Sequence, residues 1–311
     1  MKIVFFGTPD YVLPVLAKIH KSFVSGPGKS PIVAVVTQNP KPTGRKQILA
    51  YSPVDSWAHE RSIPVFYSPK EFLKSALKAD LGILAAYGEI IPKEVINFFP
   101  HGILNIHPSL LPKYRGASPV QAAILSGETE TGVTIIKIDE FLDHGPIVSQ
   151  FKEEVSASDT LETLRAKLFE RASEVLVKLI EPYLKGKIKK REQNHKEATS
   201  STLVKKEHGF IPSKYLEAAL EGKSLKEAWS IPFIKDYSLH PTPYTLDCFI
   251  RAMDPWPSAW TTAKIDSNKK RLKILKGHLT EGNLILDLVQ LEGKNPVSWK
   301  QFKEAYPACR F

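Results

Sequence analysis

The chain has 311 residues, of which 42% are hydrophobic, 10% aromatic and 24% charged. This is globular composition, enough for about two domains of roughly 150 residues, and it excludes a disordered, collagen-like or coiled-coil chain. The 43 Lys+Arg outnumber 33 Asp+Glu for a formal charge of +10, and residues 181–311 alone carry 23 against 15, so the excess basic charge that attracts polyanions sits in the C-terminal part.

In chain order, short β-rich runs alternate with helical stretches. Strands are predicted at Lys2 to Phe6, Ile32 to Thr37, Ile63 to Phe66, Asp80 to Ala86, Gly102 to His107 and Val133 to Ile138. Most are continuously apolar, as strands buried on both faces should be. Helices fit Asp10 to Ser22, Ser52 to Arg61, Pro69 to Ala79, Pro119 to Ser126 and Ser158 to Tyr183. The order predicts an α/β fold with a parallel, Rossmann-like sheet over residues 1–184.

Residues 185–204 open on Lys185-Gly-Lys-Ile-Lys-Lys-Arg191, basic and nearly free of core residues, and read as a linker. Over residues 205–311 the pattern predicts helices near Ser213 to Glu227 and Tyr244 to Ala252, strands at Ala259 to Ile265, Arg271 to Gly277 and Asn283 to Leu291, and a last helix near Ser298 to Ala305. Successive strands separated by turn residues imply a small antiparallel barrel. Trp256 and Trp260, beside prolines, are expected in the core.

Cys248 and Cys309 support neither a disulfide framework nor a cysteine-rich zinc site, no metal-ligand spacing appears, and the N-terminus lacks a cleavable signal pattern. A reducing cytoplasm is the expected compartment. No apolar run approaches the ~20 residues of a membrane span, so no membrane partner is expected.

Three places carry chemistry. Gly7-Thr8-Pro9-Asp10 joins the first strand to the first helix, where free N–H groups favour an anion, although without Gly-x-Gly-x-x-Gly a tight turn is the preferred reading. Gly102-Ile-Leu-Asn105-Ile-His107-Pro interrupts a buried strand with two polar residues two positions apart. Such residues share a face and point to the carboxyl end of the sheet, where open α/β folds place ligands. Asp143, in Asp-His-Gly before another β-like run, is either a turn former or a carboxylate that orients and charges the imidazole of His107. Their separation of 36 positions leaves that open.

Beyond these local signals, Met1-Lys-Ile-Val-Phe-Phe-Gly-Thr-Pro-Asp, Ala86-Tyr-Gly-Glu-Ile-Ile-Pro, Asn105-Ile-His-Pro-Ser-Leu-Leu-Pro-Lys-Tyr-Arg-Gly-Ala-Ser-Pro, Leu142-Asp-His-Gly-Pro-Ile and Arg251-Ala-Met-Asp-Pro-Trp-Pro together resemble the methionyl-tRNA formyltransferases. The likeness covers residues 1 to about 200 and resumes near 244. It implies transfer of a formyl group from 10-formyltetrahydrofolate to the α-amino group of initiator methionyl-tRNA, by a monomer and without a metal. It implies that Asn105 and His107 stabilise a tetrahedral oxyanion, and that Asp143 orients and charges His107 and assists proton relay. Ser109, Leu110, Leu111 and Pro112 are then expected to line the folate pocket, and the C-terminal domain to be an OB-like barrel.

The resemblance also implies a basic loop after the second strand that meets the acceptor stem. Lys41, Arg45 and Lys46 are its candidates, with Lys189, Lys190 and Arg191, and further on Lys269, Lys270, Arg271 and Lys273, for phosphates. The alternatives are a formyltransferase for a small amine, such as an amino sugar or glycinamide ribonucleotide, and an RNA-binding module without turnover. Three departures from the family pattern stand out: Gln47 in the basic loop, His144 beside Asp143, and residues 202–243.

Overall fold

The computed structural model describes residues 1–26, 29–43, 47–265 and 268–311. By its internal contacts the chain forms two compact units that interleave in sequence. Unit 1 comprises Met1–Arg115, Gly132–Glu153 and Arg165–Ala198; unit 2 comprises Gly116–Thr131, Glu154–Leu164 and Thr199–Phe311. Among the described residues no helix is long and apolar enough to cross a membrane.

The first half runs β1 (Ile3–Gly7), α1 (Leu13–Phe23), β2 (Ile32–Val36), the short β3 (Lys41–Thr43) and β4 (Ile48–Ala50), α2 (Pro53–His59), β5 (Val65–Phe66), α3 (Pro69–Lys74), β6 (Leu81–Ala85), α4 (Lys93–Ile96) and β7 (Ile103–His107). It continues through β8 (Arg115–Gly116), α5 (Pro119–Leu125), β9 (Glu130–Lys137), β10 (Ile147–Glu154) and the long α6 (Leu161–Leu184). Ser52 and Ser68 start α2 and α3 by accepting the N–H of Asp55 and Glu71, with proline in the first turn of each.

Unit 1 is built on a seven-stranded sheet in the order β10-β9-β7-β6-β1-β2-β5. The strands from β7 to β5 are parallel. Their apolar sequences bury completely, as in β1, where every residue of Ile-Val-Phe-Phe-Gly is inside. On one face Val4, Phe6, Val36, Phe72, Tyr87 and Phe99 form a cluster closed by edge-to-face and stacked aromatic pairs.

β9 departs from the predicted parallel order. It runs antiparallel to β7, with Asn105 opposite Ile136 and His107 opposite Thr134. The cause lies in the connection. A parallel return needs a crossover that carries the chain back along the sheet, whereas α5 belongs to unit 2, and the chain enters β9 at the end where β7 finished.

Unit 2 completes the chain with β11 (Ser200–Ser201), α7 (Ser213–Leu220), β12 (Trp229–Ser230), β13 (Ser238–Leu239), α8 (Pro243–Ala252), β14 (Ala259–Ile265), β15 (Asn268–Thr280), β16 (Asn283–Leu291), β17 (Val297–Ser298) and α9 (Trp299–Ala305). The last four strands form one antiparallel sheet in sequence order. Thr242 and Ser298 cap α8 and α9 through reciprocal capping boxes. The helix predicted through Glu227 stops at Leu220, because Gly222 takes φ +71° just past its end.

The atypical 202–243 segment packs into unit 2. Ile211, Leu216, Ile231, Phe233 and Ile234 are buried. Trp229 lies between Tyr215 and Phe249, at 5.3 and 4.8 Å between ring centroids. Trp256 does not bury as expected and stays 47% exposed, whereas Trp260 packs against Phe210 and the Arg271 guanidinium, 4.0 Å from the ring centroid.

Candidate active site

Strand β7 carries Asn105 and His107 to the carboxyl end of the parallel strands, 7% and 4% exposed. Asp143 arrives from the loop between β9 and β10, at φ +47°. Asn105 Nδ2 donates to Asp143 Oδ1 at 3.1 Å, and His107 Nδ1 stands 3.5 Å from Asp143 Oδ2. On its other side His107 Nε2 donates to the carbonyl oxygen of Tyr114 at 2.9 Å. Both ring nitrogens thus face oxygens that accept. The three residues singled out in the sequence form one contiguous group.

The loop bearing Asp143 is fixed from several directions. Gln193 Nε2 donates to the carbonyl oxygens of Asp143 and Gly145, both at 2.8 Å. Its Oε1 accepts from Arg115 Nη2 at 2.7 Å. Burial pushes the Arg115 guanidinium below its ordinary value, and the carboxylates of Asp143 and Asp139 oppose that shift. Gly145 is required here because a Cβ would collide with the carbonyl oxygen of Lys137. His144 turns to Asp139, Nδ1 to Oδ2 at 2.7 Å, and its ring stacks on that of His195 at 3.9 Å.

After His107 the chain turns through Ser109, Leu110, Leu111 and Pro112. Ser109 is fully buried, and its hydroxyl donates to Lys113 O at 2.6 Å, which folds the turn back on itself. Thr134 bridges the same turn, donating to Ser109 O at 2.6 Å and accepting from the N–H of Leu111 at 3.0 Å. Gln150 donates to Leu111 O and Thr134 Oγ1, both at 2.9 Å. Leu111 itself is buried with Ile136 and Ile147, so Leu110 and Pro112 remain the more accessible apolar members.

The basic candidates are more dispersed. Lys41 is exposed on β3, its Nζ donating to Gln38 at 3.0 Å, while Arg45 and Lys46 lie outside the described residues. Ile48 and Leu49 on the partner strand β4 are 65% and 56% exposed. Lys189 and Lys190 are exposed. Lys190 helps burial to lower the ammonium of Lys137. Arg191 donates to Gln150 Oε1 at 2.9 Å, which ties it to the 109–112 turn.

Sequence reasoning missed Tyr114, Arg115, Thr134, Gln150 and Gln193. Tyr114 meets His107 seven positions away through a backbone carbonyl that residue type does not reveal, the other four act through contacts far along the chain, and Gln193 lies inside the stretch read as a linker. Gln193 is a lone buried polar side chain between exposed neighbours, a pattern visible only once burial is known.

Comparison with known proteins places the chain. The Formyl transferase family signature covers residues 1–180. The methionyl-tRNA formyltransferase of Wolbachia pipientis subsp. Culex pipiens is 36% identical over 311 residues, 97% of this chain and 95% of its own. That of Methylacidiphilum infernorum is 38% identical over 284 residues, 89% of this chain and 78% of its own. Among solved structures, the methionyl-tRNA formyltransferase from Clostridium thermocellum shares the fold at TM-score 0.56 and 20% identity, over 94% of this chain and 98% of its own. The N-formyltransferase from Helicobacter canadensis, in complex with folinic acid and dTDP-3-aminofucose, does so at TM-score 0.61 and 18%, over 96% and 98%. Near-complete coverage by relatives above 35% identity, on a fold that holds Asn105, His107 and Asp143 together, identifies a formyl-transferring enzyme that belongs to the methionyl-tRNA formyltransferase family.

Proposed function

We propose that the enzyme transfers the formyl group of 10-formyltetrahydrofolate to the α-amino group of initiator methionyl-tRNA. The carrying observation is the shared contact of Asp143 with Asn105 and His107 at the carboxyl end of β7.

The α-amine has an ordinary pKa of about 7.7–8.0, so much of it is the neutral nucleophile at physiological pH. Attack forms an N–C bond and turns the formyl oxygen into an oxyanion. Asn105 Nδ2 carries two hydrogens and Asp143 takes one, so the second suits the oxyanion. His107, charged between Asp143 and Tyr114 O, supplies the positive partner. A well-placed donor of this kind contributes about 3 kcal/mol to the transition state. Collapse re-forms the carbonyl and breaks the bond to folate N10; the attacking nitrogen loses one proton and N10 gains one, a transfer that Asp143 assists.

Leu110 and Pro112 offer apolar surface for the folate ring system, while Ser109 holds the turn that presents them. A folate donor is also supported by the folinic acid bound to the Helicobacter canadensis relative in fold. For the tRNA, Lys41, Arg45 and Lys46 serve the acceptor end and Lys189, Lys190 and the basic strand β15 the backbone phosphates, which would position the tRNA more than read its bases. Arg191 is tied to Gln150 and fits a supporting role better. The test is a formyl-transfer assay with 10-formyltetrahydrofolate and either methionyl-tRNA or amino sugars. Transfer confined to the small amines would overturn the tRNA assignment.

A further inference from the structure

The stretch 189–197 is exposed throughout except for Gln193, which is 5% exposed. An amide buried alone in a solvated segment needs an explanation, since burying it costs free energy unless its groups are paired. Its partners lie 48 to 78 positions away: the carbonyls of Asp143 and Gly145 accept from Nε2, and Arg115 donates to Oε1. Only this orientation of the amide satisfies all three bonds, because two carbonyls cannot donate and a guanidinium cannot accept. The backbone is pinned just before it, where Arg191 and Ile147 exchange both hydrogen bonds at 2.7 and 2.9 Å.

We propose that Gln193 is a positioning residue for formyl transfer: it clamps the turn that aims the Asp143 carboxylate at His107 and Asn105. Asp143 sits in the left-handed region at φ +47°, a conformation that persists where the surroundings fix it. Holding the carbonyl of Asp143 and that of the residue two positions on, Gln193 restrains the peptide planes on either side of the bend. A glutamate there would set an acceptor against two acceptors. The inference rests on the role of Asp143 proposed above.

The test is a double-mutant cycle read by single-turnover transfer at saturating substrates, with thermal unfolding of each variant as a control. Gln193→Ala should slow transfer about 10- to 100-fold, the loss expected when a reacting constellation moves by a fraction of an ångström to an ångström. KM for both substrates should stay within about twofold, and Gln193→Glu, which keeps the volume, should be as slow. In an Asp143→Ala background, Gln193→Ala should slow transfer by less than about twofold, since the group it acts through is gone. Equal losses in both backgrounds, an unchanged rate in Gln193→Ala, or failure of both single variants to fold would overturn the proposal. An Asp143→Ala enzyme as fast as the parent would instead sink the reading of the site itself.

Discussion

His107 and Asp143, far apart in sequence, meet with Nδ1 and Oδ2 3.5 Å apart at the end of strand β7. Their side chains are 5% and 8% exposed, so neither has bulk water to replace a lost partner.

Removing any one member of the group should therefore slow chemistry. Asn105→Ala, His107→Ala and Asp143→Ala are each expected to lower the single-turnover rate by roughly 100-fold or more, with tRNA affinity kept within a fewfold. A variant that keeps the parental rate removes its residue from the mechanism.

Gly145→Ala tests the turn rather than the carboxylate. The added methyl would meet the Lys137 carbonyl oxygen, a backbone atom with no room to retreat. A loss of about 2–4 kcal/mol in chemical denaturation is expected, together with slower transfer. A coincident denaturation curve would mean that the turn yields.

For the basic loop, Arg45→Ala and Lys41→Ala should weaken methionyl-tRNA binding about 3- to 10-fold at physiological salt and lower the slope of log K against log salt by about one phosphate each. Binding isotherms at several salt concentrations measure this. Parallel lines for variant and parent would exclude the loop from the tRNA interface.

Asp254 predicts a pH dependence. Burial first, and the like charge of Glu162 second, hold its carboxyl above the ordinary 3.8. The folded protein keeps this proton over a range where the unfolded chain has released it, so the stability from this group is present at low pH and is lost as pH rises through the raised value. Asp254→Asn should accordingly raise the thermal midpoint at neutral pH, with the gain shrinking toward zero near pH ~3. A gain independent of pH would point to packing instead.

Much of this was legible because burial leaves a one-dimensional trace. Parallel strands read as apolar runs, and Asn105 and His107 stood out by interrupting one. Asp143 was suggested by resemblance, since its partnership spans a gap that periodicity does not encode. Gln193, Arg115 and Thr134 act through tertiary hydrogen bonds, and their residue types are ordinary on any surface. The antiparallel course of β9 was hidden for a related reason: strand direction depends on where the connection travels, and α5 travels into the other unit. Residues 202–243 resisted assignment because their short elements are stabilised by aromatic contacts with α8 rather than by their own propensity.

That interleaving bears on how the protein can be dissected. Segment Gly116–Thr131 lies early in the chain, yet it belongs with the C-terminal unit, where Tyr244 of α8 approaches Gly127. Helix α5 buries Val120, Ala122, Ala123, Ile124 and Leu125. A fragment ending near residue 204 would retain α5 without α8, stranding an oily helix in water. Such a truncation is expected to precipitate or recruit a chaperone, and separate expression of either unit would require its three chain segments to be joined anew.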